Sequence, residues 1–215
     1  MTHTLEVSNL QGESLGGTRL NKQEHDLYRK MVGSLLYLVV GTRPDLAYAV
    51  SVLGQHVSCP TDSCLKMAVQ VLGYAKTTIG VGLFYERNQD KWNLVGCSDT
   101  DHCSDTNLIS RFSYVFMLGK HTIMWKSKKL DMRTLSSCES ELFGGTYTTV
   151  DLLYAGKLQS EILLGRRLIG MDKPLVPELK IDNKSTVKVV NTGTYHSVVR
   201  HIDIRNLWLI DKVMD

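Results

Sequence analysis

The sequence lacks the features that mark several classes of protein. Its five cysteines include no Cys-x-x-Cys pair, and their number is odd. This spacing argues against a disulfide framework or a structural zinc site and favours a reducing compartment. The N-terminal residues have no signal-peptide pattern, and no run approaches the roughly 18 apolar residues of a membrane span. We therefore expect a soluble, intracellular protein with neither a membrane anchor nor zinc.

The composition of the 215 residues is ordinary for a globular protein, with 43% hydrophobic and 22% charged residues. A chain of this length can bury a core as one large domain or two small ones. The net charge is +3. This mild excess of basic residues is compatible with a polyanionic partner but does not indicate one.

The first half of the chain has a helical period. Apolar residues recur at steps of three and four within 21–41, 42–57 and 61–78, which predicts three helices. Thr42 is the candidate N-cap of the second helix, and Thr61 or Asp62 of the third. The stripes expected in the core are Leu27, Met31, Leu35 and Leu38, then Leu46, Val50 and Leu53, then Leu65, Ala68 and Leu72.

From Gly80 the pattern becomes that of strands. Strands are predicted within 80–86, 92–99, 111–119, 121–129 and 179–182, with a turn at Gly119 and Lys120. A long helix is predicted over 136–165, capped by Ser136 or Ser137, although Gly144 and Gly145 are unfavourable inside a helix. Shorter helices are expected over 183–191 and 201–214.

Acidic residues stand at the ends of these predicted elements. In the stretch "LVGCSDTDHCSDT", the predicted strand ends at Asp99, and Glu141 lies in the first turns of the long helix. Asp182 ends the last predicted strand, and Asp203 lies near the start of the final helix. If they converge, a divalent cation would neutralise them, and carboxylate oxygens suit Mg²⁺ or Mn²⁺. Acidic residues are also common as helix caps, so the spacing alone leaves both interpretations open.

A family resemblance bears on this choice. The stretches "GCSDTDHCSD", "SYVFMLG…IMWKSKK", "TLSSCESELFGG", "KIDNKSTVKVV" and "RHIDIR" resemble, in order, landmarks of the ribonuclease H domain of copia-type LTR retrotransposon polyproteins. "YRKMVGSLLYLVVGTRPDLAYAVSVL" is similar to the helical end of the reverse transcriptase that precedes that domain. The resemblance runs from about Tyr28 to Trp208.

The resemblance implies an α/β fold, with a ribonuclease H-like mixed five-stranded sheet flanked by helices and preceded by a small helical segment. The implied domains are an extended or disordered segment at 1–22, a thumb- or connection-like reverse-transcriptase tail at 23–79, and a C-terminally truncated ribonuclease H-like domain at 80–215. The implied localisation is cytoplasmic, in a particle, or nuclear.

The implied activity is hydrolysis of the RNA strand of an RNA–DNA hybrid with two Mg²⁺ ions, for which Mn²⁺ can substitute. Water is the nucleophile and the 3′ oxygen the leaving group. By this resemblance the metal ligands and catalytic residues are Asp99, Glu141, Asp182 and Asp203. His201 is a further catalytic candidate that would position the phosphate or release product, or else a structural histidine.

Other polar residues near these motifs have competing interpretations. Lys126, Lys128, Lys129 and Arg133 are candidates to contact nucleic-acid phosphates, or form a solvated strand end. Glu139 forms a Ser-x-x-Glu capping box with Ser136, so we interpret it as structural. Asp101 and Asp105 are expected to be loop acids. His102 has no second pair of soft ligands, so zinc is not expected there.

Departures from the family pattern leave an alternative function open. The stretch "HCSD" replaces a tryptophan and small residues, and Ser113 stands where the family has glycine. The Tyr-x-Asp-Asp polymerase motif is absent, so the chain is not a polymerase on its own. The alternative is an inactive fragment that folds but does not cleave. Such a fragment would bind nucleic acid, or it would bind the remainder of a reverse transcriptase as a partner.

Overall fold

A computed structural model of the chain describes residues 17–86, 92–103, 108–167, 176–192, 208–209 and 211–213. The chain divides into two compact units. The first holds the three N-terminal helices together with Lys126–Lys128, and the second holds the rest of the sheet and the later helices. Within the described residues, no helix combines the length and the apolar character needed to cross a membrane.

Three helices build the first unit: α1 (Lys22–Gly41), α2 (Ala47–Gln55) and α3 (Asp62–Thr77), with a 3₁₀ turn at Pro44–Leu46 before α2. A capping box between Asn21 and Glu24 starts α1, and the Thr61 hydroxyl caps α3. The predicted Thr42 cap is wrong, because Thr42 ends α1 and no side chain caps the 3₁₀ turn.

The core stripes of α1 and α3 are only partly as predicted: Leu35 and Ala68 are buried as expected, whereas the other buried residues lie one position from those predicted. In α1 the buried residues are Tyr28, Val32, Leu35 and Val39, whereas Leu27 is 49% exposed and Leu38 36% exposed. In α3 they are Cys64, Met67, Ala68 and Val71. Tyr28 takes the core position because its hydroxyl donates to the Leu53 carbonyl 2.7 Å away. The predicted stripe of α2, Leu46, Val50 and Leu53, is buried as expected.

The second unit is built on a mixed sheet with the order β3-β2-β1-β4. Its strands are β1 (Leu94–Asp101), β2 (Arg111–Leu118), β3 (His121–Lys129) and β4 (Glu178–Ile181). β2 runs antiparallel to β1, and β4 runs parallel to it. Gly119, in the turn between β2 and β3, has a positive φ of 62°, which glycine adopts without strain.

The described residues form four strands, not five. Residues 81–86, predicted as a strand, have no regular secondary structure. The last two of them are held near the start of β3 by side chains: the Tyr85 hydroxyl donates to the Thr122 carbonyl over 2.7 Å, and Glu86 forms an ion pair with Lys120. Gly80 and Gly82 lack side chains that could pack on a sheet, which weakens a strand at this position.

Helix α4 (Ser137–Arg167) packs across the sheet, and α5 (Lys184–Thr192) packs against α4 and β4. The core between α4 and the sheet includes Leu94, Phe112, Phe116, Phe143 and Leu152. Gly144 lies where α4 comes closest to β1: a Cβ there would clash with the Thr100 Oγ1 and lie 3.1 Å from the Phe112 Cβ. The close approach explains a glycine inside a long helix.

Candidate metal centre

Strand β1 supplies the first carboxylate. Its residues alternate between faces, with Leu94, Gly96, Ser98 and Thr100 buried and Asp99 exposed. Ser98 and Thr100 face α4, because the Ser98 hydroxyl lies 2.9 Å from that of Thr148 and the Thr100 Oγ1 adjoins Gly144. Alternation therefore directs Asp99 to the opposite face of the sheet, near the C-terminal end of the strand.

Helix α4 supplies the second carboxylate from its fifth residue, Glu141. The helix starts where the Ser136 hydroxyl accepts the Glu139 N–H over 3.1 Å, and Glu139 Oε2 accepts the Leu135 N–H over 2.6 Å. Glu139 is thus the structural residue that its Ser-x-x-Glu spacing indicated, although its side chain bonds Leu135 instead of Ser136. This start places Glu141 against β1, where it is 5% exposed.

The third carboxylate, Asp182, directly follows β4. Because Ile181 pairs with Ser98 in the parallel register, the next residue along each strand, Asp182 and Asp99, lies at the same end of the sheet. The Asn183 side chain accepts the N–H groups of Ser185 and Thr186 and so begins α5. The chain leaves the sheet at this point, and Asp182 is exposed.

These three carboxylates converge. One oxygen from each of Asp99, Glu141 and Asp182 lies within 4.8 Å of the other two. No other group of three or more His, Cys, Asp or Glu side chains within the described residues meets this geometry. Three elements far apart in sequence thus bring acidic oxygens to one end of the sheet.

The two oxygens of Glu141 have different surroundings. Oε1 accepts the backbone N–H of Thr100 over 3.2 Å. Oε2 is buried and has no hydrogen-bond partner among the described residues. A buried carboxylate oxygen without a partner is costly, and a cation beside Asp99 and Asp182 would satisfy it.

The pKa of Glu141 is raised to about 7, mainly by burial and also by the negative charges of Asp182 and Asp99, whereas the Thr100 N–H opposes the shift. Desolvation disfavours the charged form of an acid, and like charges nearby do the same. A divalent cation would reverse both effects by favouring the ionised carboxylate.

The donor set fits a hard divalent cation. All three ligands are carboxylate oxygens, which suit Mg²⁺ or Mn²⁺ and not zinc. Oxygens on one Mg²⁺ lie at most about 4.2 Å apart, since each Mg–O distance is about 2.1 Å. Two ions about 3.5–4 Å apart, as in two-metal sites, accommodate wider spacings. The three oxygens lie within 4.8 Å of one another, so they are close enough to share bound divalent cations.

The remaining predicted site residues are not among these three carboxylates. Asp203, His201 and Asp105 fall outside the described residues. Lys126, Lys128 and Lys129 lie on β3, two strands away from β1, and Arg133 is an exposed residue after β3. Asp101 is the last residue of β1, so its prediction as a loop acid is wrong by one position.

His102 has hydrogen-bonding neighbours in the segment after β1. Its Nδ1 lies 3.2 Å from the Thr134 Oγ1, and its Nε2 lies 3.4 Å from the Cys103 Sγ. Among the described residues, no third His, Cys, Asp or Glu side chain lies close enough to His102 and Cys103 to complete a metal site. We therefore assign His102 to this hydrogen-bonded segment.

The contribution of Thr100 was missed from the sequence. Its backbone N–H orients Glu141, and its side chain sets the distance between β1 and α4. A backbone donor carries no side-chain signal. The available hint was indirect: a glycine in the long helix, three residues after Glu141, predicts close contact with a strand.

Comparison with known proteins identifies relatives of this sequence. The chain is 34% identical over 176 residues to the retrovirus-related Pol polyprotein from transposon RE2 of Arabidopsis thaliana, covering 81% of this chain and 12% of the polyprotein. It is 29% identical over 189 residues to the corresponding polyprotein from transposon TNT 1-94 of Nicotiana tabacum, covering 87% and 14%. The chain thus spans a small part of these polyproteins.

A third relative is short. The secreted RxLR effector protein 161 of Plasmopara viticola is 37% identical over 128 residues, covering 59% of this chain and 89% of the effector. No family model matches the chain, and no solved structure matches it. The chain therefore belongs to a family of homologues whose long members are the retrovirus-related Pol polyproteins of copia-type transposons.

Proposed function

We propose that the chain is a ribonuclease H-type nuclease, derived from a retrotransposon, that hydrolyses the RNA strand of RNA–DNA hybrids. The proposal includes a ribonuclease H-like fold for the second unit. The observation that carries it is the convergence of Asp99, Glu141 and Asp182, with oxygens within 4.8 Å of one another. The relationship to Pol polyproteins supports it, because the three acids lie in the motifs that resemble the ribonuclease H domain of such polyproteins.

In this proposal Asp99, Glu141 and Asp182 hold two Mg²⁺ ions, with Asp203 as a fourth ligand. The bound ions supply positive charge that activates water and stabilises the departing oxygen. The chain's own residues fix the ligand positions: the Thr100 N–H orients Glu141, and the pairing of β4 with β1 aligns Asp182 with Asp99.

Hydrolysis breaks the P–O3′ bond of the RNA strand and forms a bond from the water oxygen to phosphorus. The products are a 3′-hydroxyl and a 5′-phosphate. A hybrid of near A-form is recognised by its backbone shape and its 2′-hydroxyl groups, so no base-reading side chain is required. Lys126, Lys128, Lys129 and Arg133 are proposed phosphate contacts, and His201 is proposed to position the scissile phosphate.

Cleavage of an end-labelled hybrid tests the proposal. The chain should cut the RNA strand of the hybrid in Mg²⁺ or Mn²⁺, leave single-stranded RNA and duplex DNA intact, and lose activity in EDTA. Asp182→Asn should abolish cleavage. Asp101→Asn is the matched control, since it removes another exposed acid at the end of β1 that is not part of the cluster. An intact hybrid in the presence of Mg²⁺ would refute the activity.

A second candidate is a folded domain that binds nucleic acid without cutting it. The match that covers 89% of the secreted RxLR effector protein 161 favours it, because that relative is not named as a Pol polyprotein. The same assay separates the two candidates: binding of the labelled hybrid without cleavage, by a chain that still binds Mg²⁺, would support the second.

A further inference from the structure

Helix α5 presents a row of basic residues beside the candidate metal centre. Its buried residues are Thr186, Val189 and Val190. Lys184 and Lys188 are exposed, and at 100° per residue they lie opposite the buried face. The helix contains no acidic residue, so this outer ridge is purely positive.

Two contacts fix this ridge next to the three carboxylates. Asp182 lies two residues before Lys184, and the Asn183 side chain begins the helix between them. In the first turn of α5, the Thr186 hydroxyl donates to the Cys138 carbonyl over 3.3 Å. Cys138 lies three residues before Glu141 on α4, so the first turns of both helices meet at the cluster.

The helix dipole by itself makes the position of Lys184 unfavourable for a basic residue. It is the first residue of α5, where the helix dipole already concentrates positive charge and acidic side chains are favoured. The side chains of Lys184 and Lys188 are exposed, and the Thr192 hydroxyl bonds Lys188 at its carbonyl, not at its side chain. Both ammonium groups can therefore reach a ligand.

We propose that Lys184 and Lys188 bind backbone phosphates of a nucleic-acid strand on the Asp182 side of the metal centre. The inference rests on the proposed function, which supplies the nucleic acid. The two residues are one turn apart, about 6 Å along the helix axis, so they can contact separate phosphates. The side chains neutralise the strand where it passes the acidic cluster, which would otherwise repel it.

The test compares the double variant Lys184→Gln/Lys188→Gln with the full-length wild type. Binding of a short, fluorescently labelled RNA–DNA hybrid is followed by anisotropy in EDTA, so that no hydrolysis alters the probe. We expect roughly tenfold weaker binding, with a slope of log K against log salt concentration that is shallower by about 1.4–1.8 for two lost phosphate contacts. The control, Lys22→Gln/Lys157→Gln, removes two exposed charges from α1 and α4.

Two results would overturn the inference. One is equal affinity and equal salt slope for the double variant and wild type, and the other is a wild type that does not bind the hybrid. Circular dichroism and Mg²⁺ calorimetry on the double variant check that its fold and metal centre are intact. A wild type that binds but never cleaves would refute the proposed activity, while the binding comparison would still decide the role of the lysines.

Discussion

The Thr100 backbone N–H holds one oxygen of Glu141 over 3.2 Å, while the other oxygen is buried without a partner in the described structure. One hydrogen bond is too little for a buried carboxylate, whose charged form is stabilised in proteins by several donors or by a cation. Asp99 and Asp182 lie close to the same group. The arrangement stabilises the protein poorly by itself and is well suited to binding a divalent cation.

Replacing Glu141 by Gln should separate stability from function. The variant removes a buried charge without changing side-chain shape, so we expect the free energy of unfolding in EDTA to be unchanged or higher. Hybrid cleavage should fall at least about 100-fold, equivalent to about 3 kcal/mol of transition-state stabilisation. Urea unfolding and initial cleavage rates measure the two effects. A variant that cleaves normally would remove Glu141 from the site.

The raised pKa of Glu141 predicts a pH-dependent stability without metal. The folded state keeps this proton up to a pKa of about 7, whereas the unfolded state releases it near the ordinary value of 4.5. The folded state therefore binds more protons between these values, and stability falls as pH rises from about 4.5 to about 7. The contribution is at most roughly 3–4 kcal/mol, from 1.36 kcal/mol per pKa unit between 4.5 and about 7.

This pH effect is measured by urea unfolding in EDTA across the same pH range. Because other groups also titrate, the informative quantity is the difference between wild type and Glu141→Gln, which should change through this range and level off above pH 7. A difference that is independent of pH would contradict the raised pKa.

The close approach of α4 to β1 predicts a large effect of one methyl group. In Gly144→Ala the new Cβ would clash with the Thr100 Oγ1 and crowd the Phe112 Cβ, forcing α4 away from the sheet. We expect destabilisation of about 2 kcal/mol or more, typical of overpacking. Gly73→Ala in α3 is the control, because nothing lies within 4 Å of its Cβ position, and it should stabilise by about 0.5–1 kcal/mol.

Thr100→Ala should partly rescue Gly144→Ala, since it removes the clashing oxygen. The Thr100 Oγ1 is itself buried without a partner in the described part of the chain, so its loss leaves no donor or acceptor unsatisfied. Thermal unfolding of the single and double variants measures the coupling between the two positions. Simple additivity of the two effects would contradict the contact.

In the helical unit, Arg43 should stabilise more than an exposed ion pair does. It donates to both oxygens of Asp45, over 2.9 and 2.7 Å, and to the Thr78 hydroxyl over 2.7 Å. Burial alone would raise the pKa of Asp45, but the hydrogen bond and charge of Arg43 hold it below its ordinary value. Arg43→Ala should cost about 2–3 kcal/mol, below the 3–5 of a fully buried pair because the Asp45 side chain is 30% exposed.

The control for Arg43 is Lys66→Ala, which breaks an exposed pair with Asp62 and should change stability by less than about 1 kcal/mol. Arg43→Lys keeps the charge but loses the planar fork of two nitrogens that meets the two carboxylate oxygens, so its cost should be intermediate. Chemical denaturation of the three variants gives the ranking. Equal costs for Arg43→Ala and Lys66→Ala would contradict it.

The sequence predicted most helices and strands of the fold but not every packing face. The spacing of apolar residues predicted that α1 and α3 exist. However, Leu27 and Leu38, which were predicted to lie in the core, are exposed. Both neighbouring stripes of α1 are apolar, and the choice between them depends on contacts with other helices, such as the bond from Tyr28 to Leu53. Residues 81–86 were assigned to a strand because of their apolar residues, but glycines and side-chain contacts decide otherwise.

The candidate site could be predicted only in part. The positions of Asp99, Glu141 and Asp182 at element ends were readable, but their convergence depends on the β1–β4 register and on where α4 starts. That information came from the order of motifs shared with a family. The bond from Thr100 to Glu141 and the asymmetry of the two Glu141 oxygens depend on backbone geometry, which no residue pattern encodes.

Metal titration is the most direct test that these three carboxylates form one divalent-cation centre. Calorimetry and thermal unfolding of the full chain with Mg²⁺, and with Mn²⁺ in parallel, should show binding and a rise in melting temperature, because a ligand of the folded state stabilises it. Asp99→Asn, Glu141→Gln and Asp182→Asn should each abolish or strongly weaken both signals, and Asp101→Asn should not. The account would be contradicted if the wild type did not bind the ions, or if all four variants bound them as tightly as the wild type does.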